Sequence, residues 1–134
     1  MSRKVARETA FKLVFEYAFN KQMNPLTLED FLQLEKITEQ DKTFINNVYK
    51  GVIDNYQKIL DIIEKHLKNY TLSRIYKIDK SILILATYEL VFDKSTAPSV
   101  IINEAVELSK KYSTEKSFSF INGILAVIAK EEAK

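Results

Sequence analysis

The stretch Leu72-Ser-Arg-Ile-Tyr-Lys-Ile-Asp-Lys-Ser-Ile-Leu-Ile-Leu-Ala-Thr-Tyr-Glu-Leu-Val-Phe92 is the most apolar in the chain. On a helical wheel at about 100° per residue, Ile75, Ile78, Ile82, Leu83, Ile84, Leu85, Ala86, Tyr88, Leu90, Val91 and Phe92 cover almost the whole circumference. A helix that is apolar all round is one that others surround. The spacing therefore predicts a central helix over 72–92, with the rest of the chain packed about it in an all-α fold.

Outward from that centre, the periodicity is helical in both directions. Residues 93–98 read as a loop, and Pro98 and Ser99 open a helix through about Tyr112 with Val100, Ile101, Ala105, Val106 and Leu108 on its apolar side. Ser113-Thr114-Glu115 is a start signal for a last helix through Phe118, Ile121, Ile124, Leu125 and Ile128. Upstream, Ile59, Leu60, Ile62, Ile63 and Leu67 form one pattern, separated at about Asn55 from a second, Phe44, Ile45, Val48, Tyr49, Val52 and Ile53, that opens near Thr38 to Asp41. Gly51 within it costs about 1 kcal/mol relative to Ala, which suggests room for a close helix crossing. Thr27 reads as the cap of a short helix through about Leu34. The first helix spans about Arg3 to Asn20, with a wide apolar arc that includes Phe11, Phe15 and Phe19 and a narrow polar strip of Thr9, Lys12, Glu16 and Asn20.

Composition excludes several classes of function. The 134 residues contain no Cys, one His and two Gly. Thiolate metal sites, disulfides and a glycine-rich phosphate loop are ruled out, and no cofactor or metal is expected. His66 reads as a solvated residue near a helix end. No apolar run approaches the ~20 residues a membrane span needs, and the basic start has no apolar signal core behind it. A cytoplasmic protein with no membrane association is therefore expected. The formal net charge is only +2, so any affinity for polyanions must come from local clustering.

Two clusters and one carboxylate stand out. Arg3, Lys4, Arg7 and Lys12 set four bases against Glu8 in the first turns of helix one, where cations oppose the helix dipole. Arg7 lies within the apolar arc, so it either meets a buried acid or sits at a rim where phosphates dock; the second alternative is the more economical. Tyr112, Lys116, Phe118, Ser119 and Phe120 gather about the start of the last helix, where free N–H groups favour phosphate and rim aromatics can stack on bases. Phe118 and Phe120 are two apart and cannot both face one core. Glu89 falls on the apolar side of the central helix and needs a partner or a shifted pKa. A structural ion pair or a set of backbone bonds is the simplest account, since a catalytic acid would want a second polar group at suggestive spacing and none is seen.

Four ordered motifs together resemble the NusB family over nearly the whole chain. They are the opening Arg3-Lys-Val-Ala-Arg7-Glu-Thr-Ala10, the central Asp79-Lys-Ser-Ile-Leu-Ile-Leu-Ala-Thr-Tyr88-Glu89-Leu90, the stretch Pro98-Ser-Val-Ile-Ile-Asn103-Glu104-Ala105-Val-Glu107-Leu108 with Lys110, and the closing Ser117-Phe-Ser-Phe120-Ile-Asn122-Gly123-Ile-Leu125. The resemblance implies a single compact domain of about seven helices in two subdomains, 1–70 and 71–134. It implies a transcription antitermination factor that binds single-stranded boxA-like RNA in nascent ribosomal RNA transcripts, together with the small-subunit ribosomal protein NusE and within the transcription elongation complex. Arg3, Lys4 and Arg7 correspond to the basic start that contacts RNA. Tyr112, Lys116, Ser119 and Phe120 fall at a second RNA edge. Asp79 falls on the face that meets NusE, and Ile75 and Ile82 lie within 60° of it on the wheel as an apolar surround. Ile84 stands where many members have Arg, Tyr70 where many have Trp, and Lys116 where some have an acid. The alternative is a helical protein-interaction module without RNA binding. An enzyme is not expected: related helical domains precede RNA methyltransferases, but the 134 residues leave no room for a cofactor-binding sheet.

Overall fold

The computed structural model describes residues 3–33, 37–68 and 71–132. Among them the chain forms seven α-helices and no strand: α1 (Arg3–Asn20), α2 (Pro25–Gln33), α3 (Glu39–Asp54), α4 (Tyr56–Lys65), α5 (Lys77–Tyr88), α6 (Pro98–Tyr112) and α7 (Ser117–Glu131). The expected end of the second helix at Leu34, the substituted Tyr70 and the expected subdomain boundary fall at or beside residues outside the described ones.

The central helix is where the wheel places it. Packed against α5 are α1, α3 and α4 from one half of the chain and α6 and α7 from the other, and every residue from Ser81 to Thr87 is buried. Ile84 has no exposure and lies in the common hydrophobic core, so a neutral side chain needs no charged partner there. The expected span of 72–92 is nevertheless too uniform. Leu72–Arg74 is a separate 3-10 turn, and Glu89–Asp93 continues α5 with π-helical winding. The π turn ends at Lys94, whose φ of 58° is left-handed and whose N–H donates to the Glu89 carbonyl at 3.0 Å.

Local chemistry sets the other boundaries. The Thr38 side chain accepts from the Asp41 N–H and caps α3. At Asn55 the chain bends between α3 and α4, as the break in periodicity suggests. For α2 the cap is Asn24, not Thr27: the Asn24 amide oxygen accepts from the Leu26 N–H at 3.0 Å. Pro25 then takes the first helical position, where its missing N–H costs nothing. Thr27 instead donates to Glu16 of α1 at 3.1 Å. Gly51 faces Tyr88 of α5 so closely that a Cβ would overlap the ring and hydroxyl, which is the close crossing expected there.

Four expectations about burial are corrected. Phe19 projects into solvent, with Lys77 3.8 Å above its ring, whereas Thr9 of the supposed polar strip is buried and bonded to the Val5 carbonyl. Val100 is exposed on α6. His66 is not solvated: at the end of α4 its Nε2 lies 2.8 Å from Glu132, which Lys65 also contacts at 2.9 Å. This group fastens the end of α4 to the end of α7.

Candidate nucleic-acid interface

Arg7 takes the buried-acid alternative. It is 5% exposed, and its Nε and Nη2 atoms meet the Glu89 carboxylate at 2.9–3.1 Å in a two-pronged pair. Nη2 also donates to Thr96 at 3.2 Å. Placing Arg7 at an open rim is thereby corrected: the π turn presents Glu89 to it, and the pair ties the start of α1 to α5 and to the loop before α6. Burial pushes the Glu89 carboxyl above its ordinary value, against the downward pull of the Arg7 hydrogen bonds.

Arg3 and Lys4, one residue apart, point to different surroundings. Arg3 donates to Asp41 of α3 at 3.0 Å and lies over the Phe44 ring, while part of its side chain remains exposed. Lys4, Glu8 and Lys12 follow at four-residue spacing along one face of α1, with both lysines exposed. Glu8 reaches Lys111 at the end of α6 at 2.6 Å. Partial burial works to raise the Glu8 carboxyl, but the hydrogen bond from Lys111, with Tyr112 and Lys12 assisting, holds it below its ordinary value. Phe11 packs on Tyr112 with ring centres 5.2 Å apart. These contacts seat the base-rich face of α1 beside the end of α6.

From there the surface runs on into the α6–α7 turn. Lys110 lies over the Phe118 ring at 5.5 Å. Phe118, expected in the buried pattern of the last helix, is 41% exposed, and Ser119 beside it is exposed too. Phe120 is half-buried against the core and lines a cavity of about 230 Å³ with Ile75, Tyr76, Asp79, Lys116 and Ser117. The two-residue offset between the phenylalanines separates their roles, but which of them points outward is settled only by the packing of α7.

Asp79 and Ile82 do not form an exposed face. Asp79 is 4% exposed and accepts from the hydroxyls of Ser113 and Ser117, so its carboxylate fastens the α6–α7 turn to the start of α5. Ile82 has no exposure, and Ile75 is buried. One-dimensional periodicity placed these three together but could not tell that α6 and α7 cover them. The exposed residues at the start of α5 are Tyr76, 64% exposed, and Lys77. With Phe15, Ile78 and Tyr112 they line a neighbouring groove of about 470 Å³.

The sequence model of the NusB family matches residues 4–130. The chain belongs to the NusB family. It is 41% identical over 132 residues to the transcription antitermination protein NusB of Finegoldia magna, covering 98% of this chain and 96% of that protein. Its fold is similar to that of a T. maritima NusB structure with a TM-score of 0.91 at 36% identity, covering 100% of this chain and 94% of that one. It is also similar, with a TM-score of 0.86 at 28% identity over 96% of each chain, to a crystal structure of the antitermination factors NusB and NusE in complex with dsRNA. In this NusB-family chain no described helix is long and apolar enough to cross a membrane.

Proposed function

We propose that this NusB-family protein is a non-enzymatic, cytoplasmic antitermination factor that holds single-stranded, boxA-like RNA of nascent ribosomal transcripts along one continuous surface. That surface runs from Lys4 and Lys12 of α1, with the half-exposed, Asp41-paired Arg3 at its margin, past Tyr112 at the end of α6, to Lys116, Ser119 and Phe120 of the α6–α7 turn. The observation that carries the proposal is the set of joints between the two basic elements, Glu8 to Lys111 and Phe11 to Tyr112, which make one tract of two clusters about a hundred residues apart in sequence. Lysines along it supply phosphate contacts, and aromatic faces at its end supply stacking. Arg7 acts here as a positioning residue that fixes the start of α1. Stacking needs unpaired bases, which is why the single strand is preferred although the related NusB–NusE complex contains dsRNA.

The NusE partner is assigned to the adjoining groove of Phe15, Tyr76 and Lys77 at the start of α5, with Tyr112 on the border it shares with the RNA tract, within the elongation complex. The two proposed subdomains, 1–70 and 71–134, each contribute one end of the RNA tract. Titration of a boxA-like single strand, of an unrelated single strand and of a matched duplex, each with and without NusE, tests the proposal. Tighter binding of the single strand, strengthened by NusE, is the expected result. Equal binding of an unrelated strand and a Kd unchanged by NusE would overturn it. NusE binding without any RNA binding would favour the protein-interaction module instead.

A further inference from the structure

The turn between α6 and α7 separates two clefts. On one side lies the cavity with Phe120. On the other lies a cleft of about 580 Å³ lined by Lys110, Ser113, Thr114, Glu115, Lys116 and Phe118. Thr114 and Lys116 line both, so Lys116 stands on the crest between them. The second cleft combines an aromatic ring that is 41% exposed, a lysine 5.5 Å from the centre of that ring, a second lysine on the crest, and a single acid, Glu115. Exposing this much of a phenylalanine gives up favourable burial of its ring. A lysine over such a face recovers part of that but leaves much of the ring open.

We infer that the Phe118 cleft is a separate base-binding site, in which one unpaired nucleobase stacks on Phe118 and the flanking phosphates lie between Lys110 and Lys116. It rests on the RNA-binding function proposed above and adds to it a stacking residue and the path of the strand. The RNA crosses the turn at Lys116, with one base on the Phe118 side and one on the Phe120 side. RNA suits this cleft because it continues the basic tract, the two lysines outnumber the one acid, and a flat π face accepts any base.

The test combines Phe118→Ala in the full chain with a boxA-like single strand in which each base in turn is replaced by an abasic residue. Removing the exposed ring should weaken binding of the intact strand by roughly 5- to 150-fold, the range for loss of one base–aromatic stack, with an unchanged melting temperature. At one position, and not the position sensitive to Phe120→Leu, the abasic strand should bind the parent and Phe118→Ala equally, because the stack is already lost. Phe118→Trp should retain binding. If the parent binds the strand and Phe118→Ala binds it equally, the site is wrong while the RNA-binding function stands. If the parent binds no RNA, both fall. If Phe118→Ala weakens NusE binding and leaves RNA affinity unchanged, the cleft belongs to a protein contact and the proposal is overturned.

Discussion

At the scale of single residues, the pair of Arg7 and Glu89 decides the most. Both are buried, and removing one member of such a pair leaves the other charge uncompensated, at a cost of about 3–5 kcal/mol. Arg7→Ala should therefore lower the denaturant midpoint severely, and any loss of RNA affinity should follow from unfolding or from displacement of α1. Joint replacement by Arg7→Met and Glu89→Leu should restore much of the stability. A midpoint for Arg7→Ala equal to that of the parent would show that the pair is not structural. Asp79→Lys should likewise unfold the α6–α7 turn, since it forfeits the bonds from Ser113 and Ser117, whereas the exposed Tyr76→Ala should weaken NusE binding at unchanged stability. The sequence marked Arg7 and Glu89 as misplaced charges on apolar faces. It could not join them, because they are 82 residues apart and their meeting depends on a π turn that leaves no periodic signature.

At the scale of elements, the two glycines should behave oppositely. Gly123 of α7 has open space where a Cβ would stand, so Gly123→Ala should stabilise the chain by about 1 kcal/mol through helix propensity. Gly51→Ala gains the same propensity but drives a methyl into Tyr88, and overpacking costs about 1–3 kcal/mol. Its melting temperature should fall, and in a Tyr88→Ala background the same change should become stabilising. The join between α4 and α7 should show in acid. Hydrogen bonds from Lys65 and His66 hold the Glu132 carboxyl below its ordinary value of 4.5. A carboxyl lowered on folding lends stability above its unfolded pKa and loses it as pH falls through the folded one. Stability should thus decline below about pH 4.5, and Glu132→Gln should make that decline shallower; an identical acid profile for parent and variant would remove Glu132 from the account. The α-helices were legible because apolar residues recur at helical spacing or, in α5, cover almost the whole wheel; the 3-10 turn at Leu72–Arg74 and the π turn were not, since neither leaves a periodic signature of its own. Boundaries were less so where a cap competes: both Asn24 and Thr27 can cap, and Pro25 at the first helical position favours Asn24.

At the scale of the whole molecule, the family was legible because four motifs occur in order along nearly the whole chain, and the all-α architecture because the helix that carries the second of them is apolar almost all round. The surface proposed to bind RNA was legible in part. Lys4, Lys116 and Phe120 lie on or beside the tract that the contacts assemble, whereas Asp79 and Ile82 are covered by helices that a wheel drawn for α5 alone cannot include. Exposed residues such as Phe118, Lys110 and Tyr76 emerge only when α1, α5, α6 and α7 are packed together. One basic tract is proposed to join the start of α1 to the α6–α7 turn and to hold RNA through phosphates. The most direct measurement of this is the dependence of single-strand RNA affinity on salt. Each phosphate contact on a single strand contributes about 0.7 to the slope of log K against log salt. The triple variant Lys4→Gln, Lys12→Gln and Lys116→Gln should bind more weakly and flatten that slope by about 2, while Lys58→Gln, on an exposed face of α4, should leave both unchanged. A triple variant with the affinity and slope of the parent would contradict the account.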